Sequence, residues 1–236
     1  MLEQPGARGV FVVGTDTGVG KTLIAAGLLH AFARRRARVV GMKPVAAGAV
    51  PDPDTRGDGW ASEDALALRA ASTLRVSAAL DNPVLLPEPL SPHLAAARTG
   101  QRISVDALVE SYHALAAQAD AVVVEGAGGL LVPLSDDATG ADLARALGLP
   151  LLLVVGLRLG CLNHALLTAE AIAARGLVLA GWVANRIDPA MSCVDDNIAT
   201  LQRRLPAPLW ADVPHGALNA RHLPFNETLI DDFLAR

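Results

Sequence analysis

A segment near the start of the chain contains the residue types of a phosphate-binding loop, Gly14-Thr15-Asp16-Thr17-Gly18-Val19-Gly20-Lys21-Thr22. It follows the apolar run Val10–Val13 and precedes a helical pattern rich in Ala and Leu, an order that separates such loops from ordinary glycine turns. Backbone N–H groups of the loop and of the helix start converge on one point and bind anions. Lys21 is then expected to reach the outer phosphates, and the Thr22 hydroxyl to ligate Mg²⁺. The loop is a variant, because Thr15 stands where the strict pattern has its first glycine and Gly14 comes one residue earlier.

Two further charged residues follow apolar runs that are typical of buried strands. Lys43 comes directly after Val39–Met42, and Glu125 directly after Ala121–Val124. Ligands of parallel α/β sheets bind at the carboxyl ends of the strands, where a carboxylate near a phosphate loop commonly holds Mg²⁺ or its water shell. The glycines that follow Glu125 also let the backbone approach a ligand closely. The residue pattern alone leaves Lys43 equally compatible with a surface lysine, and Asp64 equally compatible with a helix-start carboxylate.

The elements that position these residues alternate regularly along the chain. Strands are predicted at Val10–Val13, Val39–Met42, Ala121–Val124, Leu151–Val155, Val178–Ala184 and Leu209–Val213. Helices are predicted at Lys21–Arg36, Glu63–Ser72, Val105–Ala119, Asp142–Leu147, Asn163–Arg175 and Val194–Leu205, with a short one between Ser91-Pro92 and Gly100. Short apolar strands that alternate with helices predict a mostly parallel sheet buried on both faces. We therefore expect a single three-layer α/β domain of the P-loop NTPase type over residues 1–236, with irregular segments at Pro44–Trp60 and Pro83–Pro92.

Composition and charge exclude several classes of protein. Of the 236 residues, 52% are hydrophobic and 19% charged, which is enough for a large core and unlike a disordered chain. The formal net charge of −4 gives no basic field, so no nucleic-acid partner is expected. The longest near-apolar run, Leu147–Leu157, contains Pro150 and is too short to cross a bilayer. Without a signal-like start, and with Cys161 and Cys193 expected to stay reduced, the sequence predicts a cytoplasmic protein that does not bind membranes.

Five segments carry a joint pattern that is more specific than any one of them: Gly14–Thr22, Gly41–Gly48, Glu125–Gly129, Val155–His164 and Ala180–Asn185. Together they resemble the dethiobiotin synthetase family, from residue 9 to about residue 215. The resemblance implies an ATP-dependent ligase of biotin biosynthesis that joins CO₂ to 7,8-diaminononanoate and closes a cyclic urea. One amine takes up CO₂ as a carbamate, ATP phosphorylates the carbamate, and the second amine displaces phosphate. The family also implies a homodimer whose substrate site is shared across the interface.

The resemblance further assigns roles to individual residues. Lys21 and Lys43 are the implied catalytic lysines, with Lys43 on the carbamate and the γ-phosphate, and Thr22, Asp64 and Glu125 are the implied Mg²⁺ ligands. Nucleotide binding is implied for Thr17, Gly18, Val19, Gly20, Lys21, Thr22, Leu23, Asp64, Glu125, Gly126, Ala127, Gly128, Asn185, Arg186, Val213, Pro214 and His215. Substrate binding is implied for Thr17, Lys43, Ala47, Gly128, Gly160, Cys161, Leu162 and Asn163, of which the last four receive the carboxylate from the neighbouring subunit.

Two departures from the family pattern and two alternatives stay open at this point. Ala47 stands where family members often have Ser or Thr, and Gly216–Asn219 lacks the family's acidic residue after the nucleotide-base loop. One alternative is a nucleotide-switch ATPase of the partitioning type. The loop of such ATPases carries a lysine where this chain has Asp16. They also often end in a basic amphipathic helix, whereas residues 228–234 of this chain are acidic. The other alternative is an amide-forming ligase of the cobyrinate type. Such a ligase usually has a glutamine-hydrolysing domain as well, and a chain of this length has no room for one.

Overall fold

The computed structural model describes residues 7–52 and 59–235, so part of the predicted irregular segment Pro44–Trp60 lies outside the described residues. The elements are, in chain order, β1 (Arg8–Gly14), α1 (Lys21–Ala33), β2 (Val39–Met42), β3 (Val45–Ala47), β4 (Val50–Pro51), β5 (Trp60–Ala61), α2 (Glu63–Ala71), α3 (Ala78–Asp81), β6 (Val84–Leu86), α4 (Pro92–Thr99), α5 (Val105–Ala116), β7 (Ala121–Gly129), α6 (Gly140–Leu147), β8 (Leu151–Gly156), α7 (Cys161–Ala174), β9 (Leu179–Asn185), α8 (Val194–Arg204), β10 (Leu209–Val213) and α9 (Glu227–Ala235).

The main sheet has six strands in the order β10-β9-β8-β1-β7-β2, and all of its pairings are parallel. Strand β1, which leads into the glycine-rich loop, is therefore central, whereas β2, which leads to Lys43, is an edge strand. Two small pairs complete the strands, with β3 parallel to β6 and β4 antiparallel to β5. The carboxyl ends of β1, β2 and β7 consequently meet at one edge of the sheet.

Both faces of the sheet are buried, because successive side chains of its strands enter two different apolar clusters. In β1, Phe11 and Val13 belong to one cluster, and Val10 and Val12 to the other. Helices α5 to α8 cover the first face, and α1, α2 and α9 cover the second. This arrangement confirms the predicted three-layer α/β fold with a parallel sheet. No helix within the described ranges is long and apolar enough to cross a membrane.

Most predicted elements are present, some with shifted ends. The strands predicted at Val39–Met42 and Leu209–Val213 have those bounds. The strand predicted to end at Val124 continues to Gly129, because Gly14 at the end of β1 pairs with Gly129. The helices predicted to end at Arg36, Ser72, Ala119, Arg175 and Leu205 all end earlier. The predicted capping box of Thr139 and Asp142 is confirmed, and its helix begins at Gly140.

The start of α7 differs from the prediction at a place that matters for function. The helix begins at Cys161, not at Asn163, and Gly160 precedes it with a φ of 98°. A glycine tolerates this left-handed conformation, so it marks the helix start more reliably than the polar Asn163 does. The first helical hydrogen bond runs from the His164 N–H to the Gly160 carbonyl at 3.2 Å. The N–H groups of Leu162 and Asn163 therefore have no intrahelical acceptor.

Candidate functional site

The glycine-rich loop has no room for a side chain at two of its glycines. Gly20 directly precedes α1 with a left-handed φ of 90°, and a Cβ there would collide with the side-chain amide nitrogen of Asn185. A Cβ at Gly14 would lie 2.7 Å from Val19 Cγ2 and 2.9 Å from the carbonyl oxygen of Asp16. The glycine that comes one residue earlier than in the strict pattern is thus required by the packing of this particular loop.

Four side chains from separate segments converge beside the loop. The ammonium Nζ of Lys43 lies 2.7 Å from Asp64 Oδ2 and 2.7 Å from Glu125 Oε1. The hydroxyl Oγ1 of Thr22 lies 2.7 Å from Asp64 Oδ1 and 3.0 Å from Glu125 Oε1. Asp64 is thereby in direct contact with both Thr22 and Lys43, which goes beyond the role of a helix-start carboxylate.

Burial makes the electrostatics of this cluster strong. The side chain of Lys43 is 4% exposed and that of Glu125 is 1% exposed. Burial alone would lower the pKa of Lys43, but the carboxylates of Glu125 and Asp64 outweigh it and hold that pKa above its ordinary value. Burial, together with the nearby charge of Lys43, lowers the pKa of Lys21. Lys43 is therefore a buried, charged side chain and not the surface lysine that its sequence position also allowed.

The oxygen atoms of this cluster fit a magnesium ion. Thr22, Asp64 and Glu125 offer a hydroxyl and two carboxylates, the hard ligands that Mg²⁺ prefers, and Mg²⁺ retains several waters and needs only one or two carboxylates from the protein. Glu125 Oε2 is buried and has no hydrogen-bond partner among the described residues, so it is an acceptor without a donor or cation. Within the same ranges, no group of three or more His, Cys, Asp or Glu side chains could hold a metal. A magnesium ion at this cluster would therefore be held by two carboxylates and a hydroxyl, and completed by water.

The four residues of this cluster line a cavity of about 720 Å³. The cavity brings together many of the residues singled out from the sequence: Thr17, Gly18, Gly20, Lys21, Thr22, Lys43, Ala47, Asp64, Glu125, Ala127 and Gly128. Val19 and Gly126 are buried and Leu23 is half-buried, and none of the three lines the cavity. The Gly126 carbonyl nevertheless accepts a 3.3 Å hydrogen bond from Lys43 Nζ.

Part of the cavity wall was missed by sequence reasoning. It consists of Val45, Pro89, Leu90, Ser91, Pro92 and Val132. The segment Pro83–Pro92 was predicted only as a loop, and the pairing of the three-residue strands β3 and β6 carries it to the cavity. Strands of that length have no periodicity that a sequence can show. A cavity that has both mostly apolar lining residues and a charged cluster suits a ligand that combines an alkyl chain with charged groups.

A second group of predicted residues lies at the ends of β9 and β10, beside the loop but outside the cavity lining. Asn185 is buried, and its Nδ2 donates a 2.8 Å hydrogen bond to the Val19 carbonyl. The Arg186 N–H donates to the Val213 carbonyl at 3.0 Å, and a ring nitrogen of His215 lies 3.1 Å from the Arg186 carbonyl. Pro214, between Val213 and His215, is exposed.

The Arg186 side chain is occupied by acidic neighbours. Its guanidinium pairs with Asp212 and Asp195 at 2.7 Å and 2.6 Å. Neither carboxylate was singled out from the sequence, because partners 9 and 26 residues away leave no local pattern.

The third predicted group, at the start of α7, does not line the cavity either. Gly160 and Asn163 are exposed, Leu162 is half-buried and Cys161 is buried. The neighbouring Leu159 is 95% exposed, an apolar side chain that nothing within the described chain covers. The helix start, where two N–H groups lack a helical carbonyl acceptor, thus lies beside an uncovered apolar residue.

Solved structures with the same fold include an ATPase and a cell division protein complex. A ParA family ATPase from Chlorobium tepidum aligns with a TM-score of 0.50 at 15% identity over 98% of both chains. A MinC:MinD cell division protein complex from Aquifex aeolicus aligns with a TM-score of 0.53 at 15% identity, over 89% of this chain and 83% of that chain. At such low identity these similarities concern the fold alone.

Sequence relatives are far more similar. A family profile described as an AAA domain matches residues 8–220. An ATP-dependent dethiobiotin synthetase from Aromatoleum aromaticum is 54% identical over 210 residues, which cover 89% of this chain and 92% of the relative. A protein of the same name from Xanthomonas oryzae pv. oryzae is 52% identical over 204 residues, which cover 86% of this chain and 89% of the relative. With identity above one half over most of both sequences, the chain belongs to the dethiobiotin synthetase family.

Proposed function

We propose that this protein catalyses ATP-dependent ring closure of 7,8-diaminononanoate with CO₂ to give dethiobiotin, ADP and phosphate, and that the whole chain, residues 1–236, acts as one domain. The observation that carries the proposal is the convergence of Lys21, Lys43, Asp64 and Glu125 on one cavity, in a chain whose relatives bear the name of this enzyme. We also propose that the protein acts in the cytoplasm, where thiols stay reduced, because Cys161 and Cys193 are both free thiols.

The nucleotide phosphates are proposed to lie on the loop from Thr17 to Leu23. Lys21 supplies a positive charge next to the free N–H groups at the start of α1. Thr22, Asp64 and Glu125 hold Mg²⁺, which neutralises phosphate charge when it is bound. Glu125, Ala127 and Gly128, near the end of β7, line the same cavity, and Gly126 lies between them in the strand.

The nucleotide base is proposed to lie beside Asn185, Arg186, Val213, Pro214 and His215. Because Asn185 Nδ2 is engaged with the Val19 carbonyl, the amide oxygen of Asn185 is the atom of this side chain proposed to accept a hydrogen bond from the base. An acceptor at that place suits the exocyclic amine of adenine.

The chemistry needs positioning and charge neutralisation more than a nucleophilic side chain. One amine of the substrate forms a carbamate with CO₂, and a carbamate oxygen attacks the γ-phosphorus of ATP as the bond to ADP breaks. The second amine then attacks the carbonyl carbon, loses its proton, and expels phosphate as the C–O bond breaks. Lys43 is proposed to hold the carbamate and the transferred phosphoryl group, and Thr17, Ala47 and Gly128 to line the substrate.

A direct assay tests the proposed function. Purified protein supplied with diaminononanoate, bicarbonate and Mg-ATP is expected to form dethiobiotin and phosphate in equal amounts, measured by mass spectrometry and phosphate release. ATP turnover that ignores the diamine and yields no cyclic urea is the result expected of a partitioning-type nucleotide switch, and it contradicts the proposal.

The two carboxylates offer a test of the metal site. Glu125→Gln and Asp64→Asn are each expected to raise the Mg²⁺ concentration needed for half-maximal turnover, since each replaces a charged oxygen ligand by a neutral amide of nearly the same shape. Asp142→Asn is the matched control, because Asp142 caps α6 and does not line the cavity. An unchanged Mg²⁺ requirement in both site variants contradicts the assignment.

We further propose a homodimer in which Gly160, Cys161, Leu162 and Asn163 bind the carboxylate of the substrate held by the neighbouring subunit. The N–H groups of Leu162 and Asn163, which have no helical carbonyl acceptor, suit an anion. The exposed Leu159 beside them, and Leu167 on the same helix, at 95% and 55% exposure, offer an apolar surface for a second subunit.

Mixing two inactive variants tests the shared site. Lys43→Ala disables the site of its own subunit, and Asn163→Trp blocks the helix start that serves the neighbour. After random subunit exchange, half of the dimers are mixed and each of these has one intact site, so about a quarter of wild-type activity is expected to return. Exchange verified by native mass spectrometry without recovered activity places the whole site within one chain.

A further inference from the structure

Lys43 emerges from the open edge of the sheet. Strand β2 has a neighbour on one side only, so the N–H groups on its outer side need partners other than a strand. The Val39 N–H donates to Thr73 Oγ1 at 2.8 Å, and the Gly41 N–H donates to Ser72 Oγ at 3.0 Å. The side chains of the two residues after α2 thus accept hydrogen bonds from the outer N–H groups of β2 as far as Gly41.

The peptide groups of Lys43 itself are held by two residues at the end of α3. The Lys43 N–H donates to the Asp81 carbonyl at 2.7 Å, and the Lys43 carbonyl accepts a 2.7 Å hydrogen bond from Asn82 Nδ2. Asn82 is buried, at 7% exposure, and the same Nδ2 also reaches the Val84 carbonyl at 3.3 Å. Both polar groups of the lysine backbone are therefore fixed just before the chain turns at Pro44.

The segment that holds Lys43 is tied in turn to the helix that carries Asp64. The guanidinium of Arg69, on α2, binds both carboxylate oxygens of Asp81 at 2.7 Å. The Asp81 side chain is 4% exposed, so this is a buried, bidentate pair with well-defined geometry. One connected set of contacts therefore sets the position of the Lys43 backbone relative to α2.

We propose that Asn82 is a positioning residue for Lys43, an inference that rests on the proposed function of that lysine. The amide of Asn82 fixes the Lys43 carbonyl and so the backbone from which the ammonium reaches Asp64 and Glu125. Asn82 does not line the cavity and acts only through Lys43. The role requires a donor, because a carboxylate at this position would place an oxygen against the carbonyl oxygen.

Asn82→Asp is the sharpest test, since it exchanges the donor for an acceptor at almost constant shape. We expect kcat for dethiobiotin formation to fall on the order of 10- to 100-fold, because a displacement of the reacting groups by a fraction of an ångström is costly. The dissociation constant for a non-hydrolysable ATP analogue, measured by calorimetry, is expected to change by less than about twofold, because the phosphate loop is untouched. A merely structural residue would not separate these two quantities.

Thr73→Val is the matched control. This substitution removes the partner of the Val39 N–H at the other end of the same edge strand. It is expected to leave kcat unchanged, even if it lowers the melting temperature of the protein as much as Asn82→Asp does. Unchanged kcat in Asn82→Asp, or a parallel loss of kcat and nucleotide affinity, overturns the inference. If the buried carboxylate prevents folding, Asn82→Ala is judged by the same two measurements. A wild-type protein that forms no dethiobiotin contradicts the proposed function itself, before any variant is compared.

Discussion

Lys43→Met is expected to slow dethiobiotin formation on the order of 10²- to 10³-fold while leaving the affinity for ATP close to that of the wild type. The methionine keeps most of the volume of this buried side chain and removes its charge. The lost ammonium is the group proposed to stabilise the negative charge that develops on the carbamate and the transferred phosphoryl group. Such an interaction is stronger in the transition state than with bound ATP, so its loss lowers kcat more than it weakens nucleotide binding.

The same substitution also changes the cluster that would hold the metal. In the wild type the Lys43 ammonium lies 2.7 Å from one oxygen each of Asp64 and Glu125, the two carboxylates proposed as Mg²⁺ ligands. Without that charge no ammonium repels a divalent cation from the two carboxylates, so Lys43→Met is expected to bind Mn²⁺ more tightly in the absence of nucleotide. Burial raises the pKa of Glu125, so the gain is expected at pH values where this carboxyl group is ionised. Steady-state kinetics and titration with Mn²⁺ followed by electron paramagnetic resonance measure the two effects. Near-normal turnover of Lys43→Met removes this lysine from the catalytic residues.

The phosphate loop and the fold could be predicted because their signals are local. Strand β2 has the predicted bounds, since four apolar residues stand between an arginine-rich helix end and a lysine. The end of β7 could not be predicted, because Gly129 is in the strand only through its pairing with Gly14. Strands β3 and β6 were missed because each has three residues and depends on the other. Helix α9, whose Ile230, Phe233 and Leu234 are buried, was missed in a segment that drew attention only for its acidic residues.

The candidate site shows the same limit at the level of single residues. Sequence position left Lys43 and Asp64 undecided, and family resemblance supplied their roles. What joins them is contact between segments far apart in sequence, such as the hydrogen bond of Asn82 to the Lys43 carbonyl and the ion pair of Arg69 with Asp81. Neither contact has a sequence signature, because an asparagine after a short helix and an arginine within a helix are common at surfaces.

Lys21→Met is expected to damage nucleotide binding and turnover together, in contrast to Lys43→Met. Lys21 is 7% exposed and its Nζ donates a 3.0 Å hydrogen bond to the Asp16 carbonyl, within the loop that is proposed to bind the phosphates. Its charge serves bound ATP as well as the transition state, so both the dissociation constant for an ATP analogue and kcat are expected to worsen, with kcat/KM for ATP falling on the order of 10³-fold. Lys21→Arg keeps the charge and is the matched control. Nucleotide affinity that is unchanged in Lys21→Met contradicts the assignment.

The lowered pKa of Lys21 allows a second test of its role, which begins with a measurement on the wild-type protein. Burial and the nearby Lys43 charge disfavour the ammonium form in the free enzyme, whereas phosphate oxygens favour it. The pKa of Lys21 is therefore expected to rise when nucleotide binds. At pH values between the pKa of the free enzyme and that of the complex, binding then takes up a proton. Nucleotide affinity is expected to fall as the pH rises through this range. Calorimetry of nucleotide binding in buffers with different ionisation enthalpies measures the uptake. Lys21→Met must abolish it, whereas Lys43→Met removes only one of the two causes of the lowered pKa and is expected to shift the uptake to higher pH. Uptake that persists without Lys21 assigns the proton to another group.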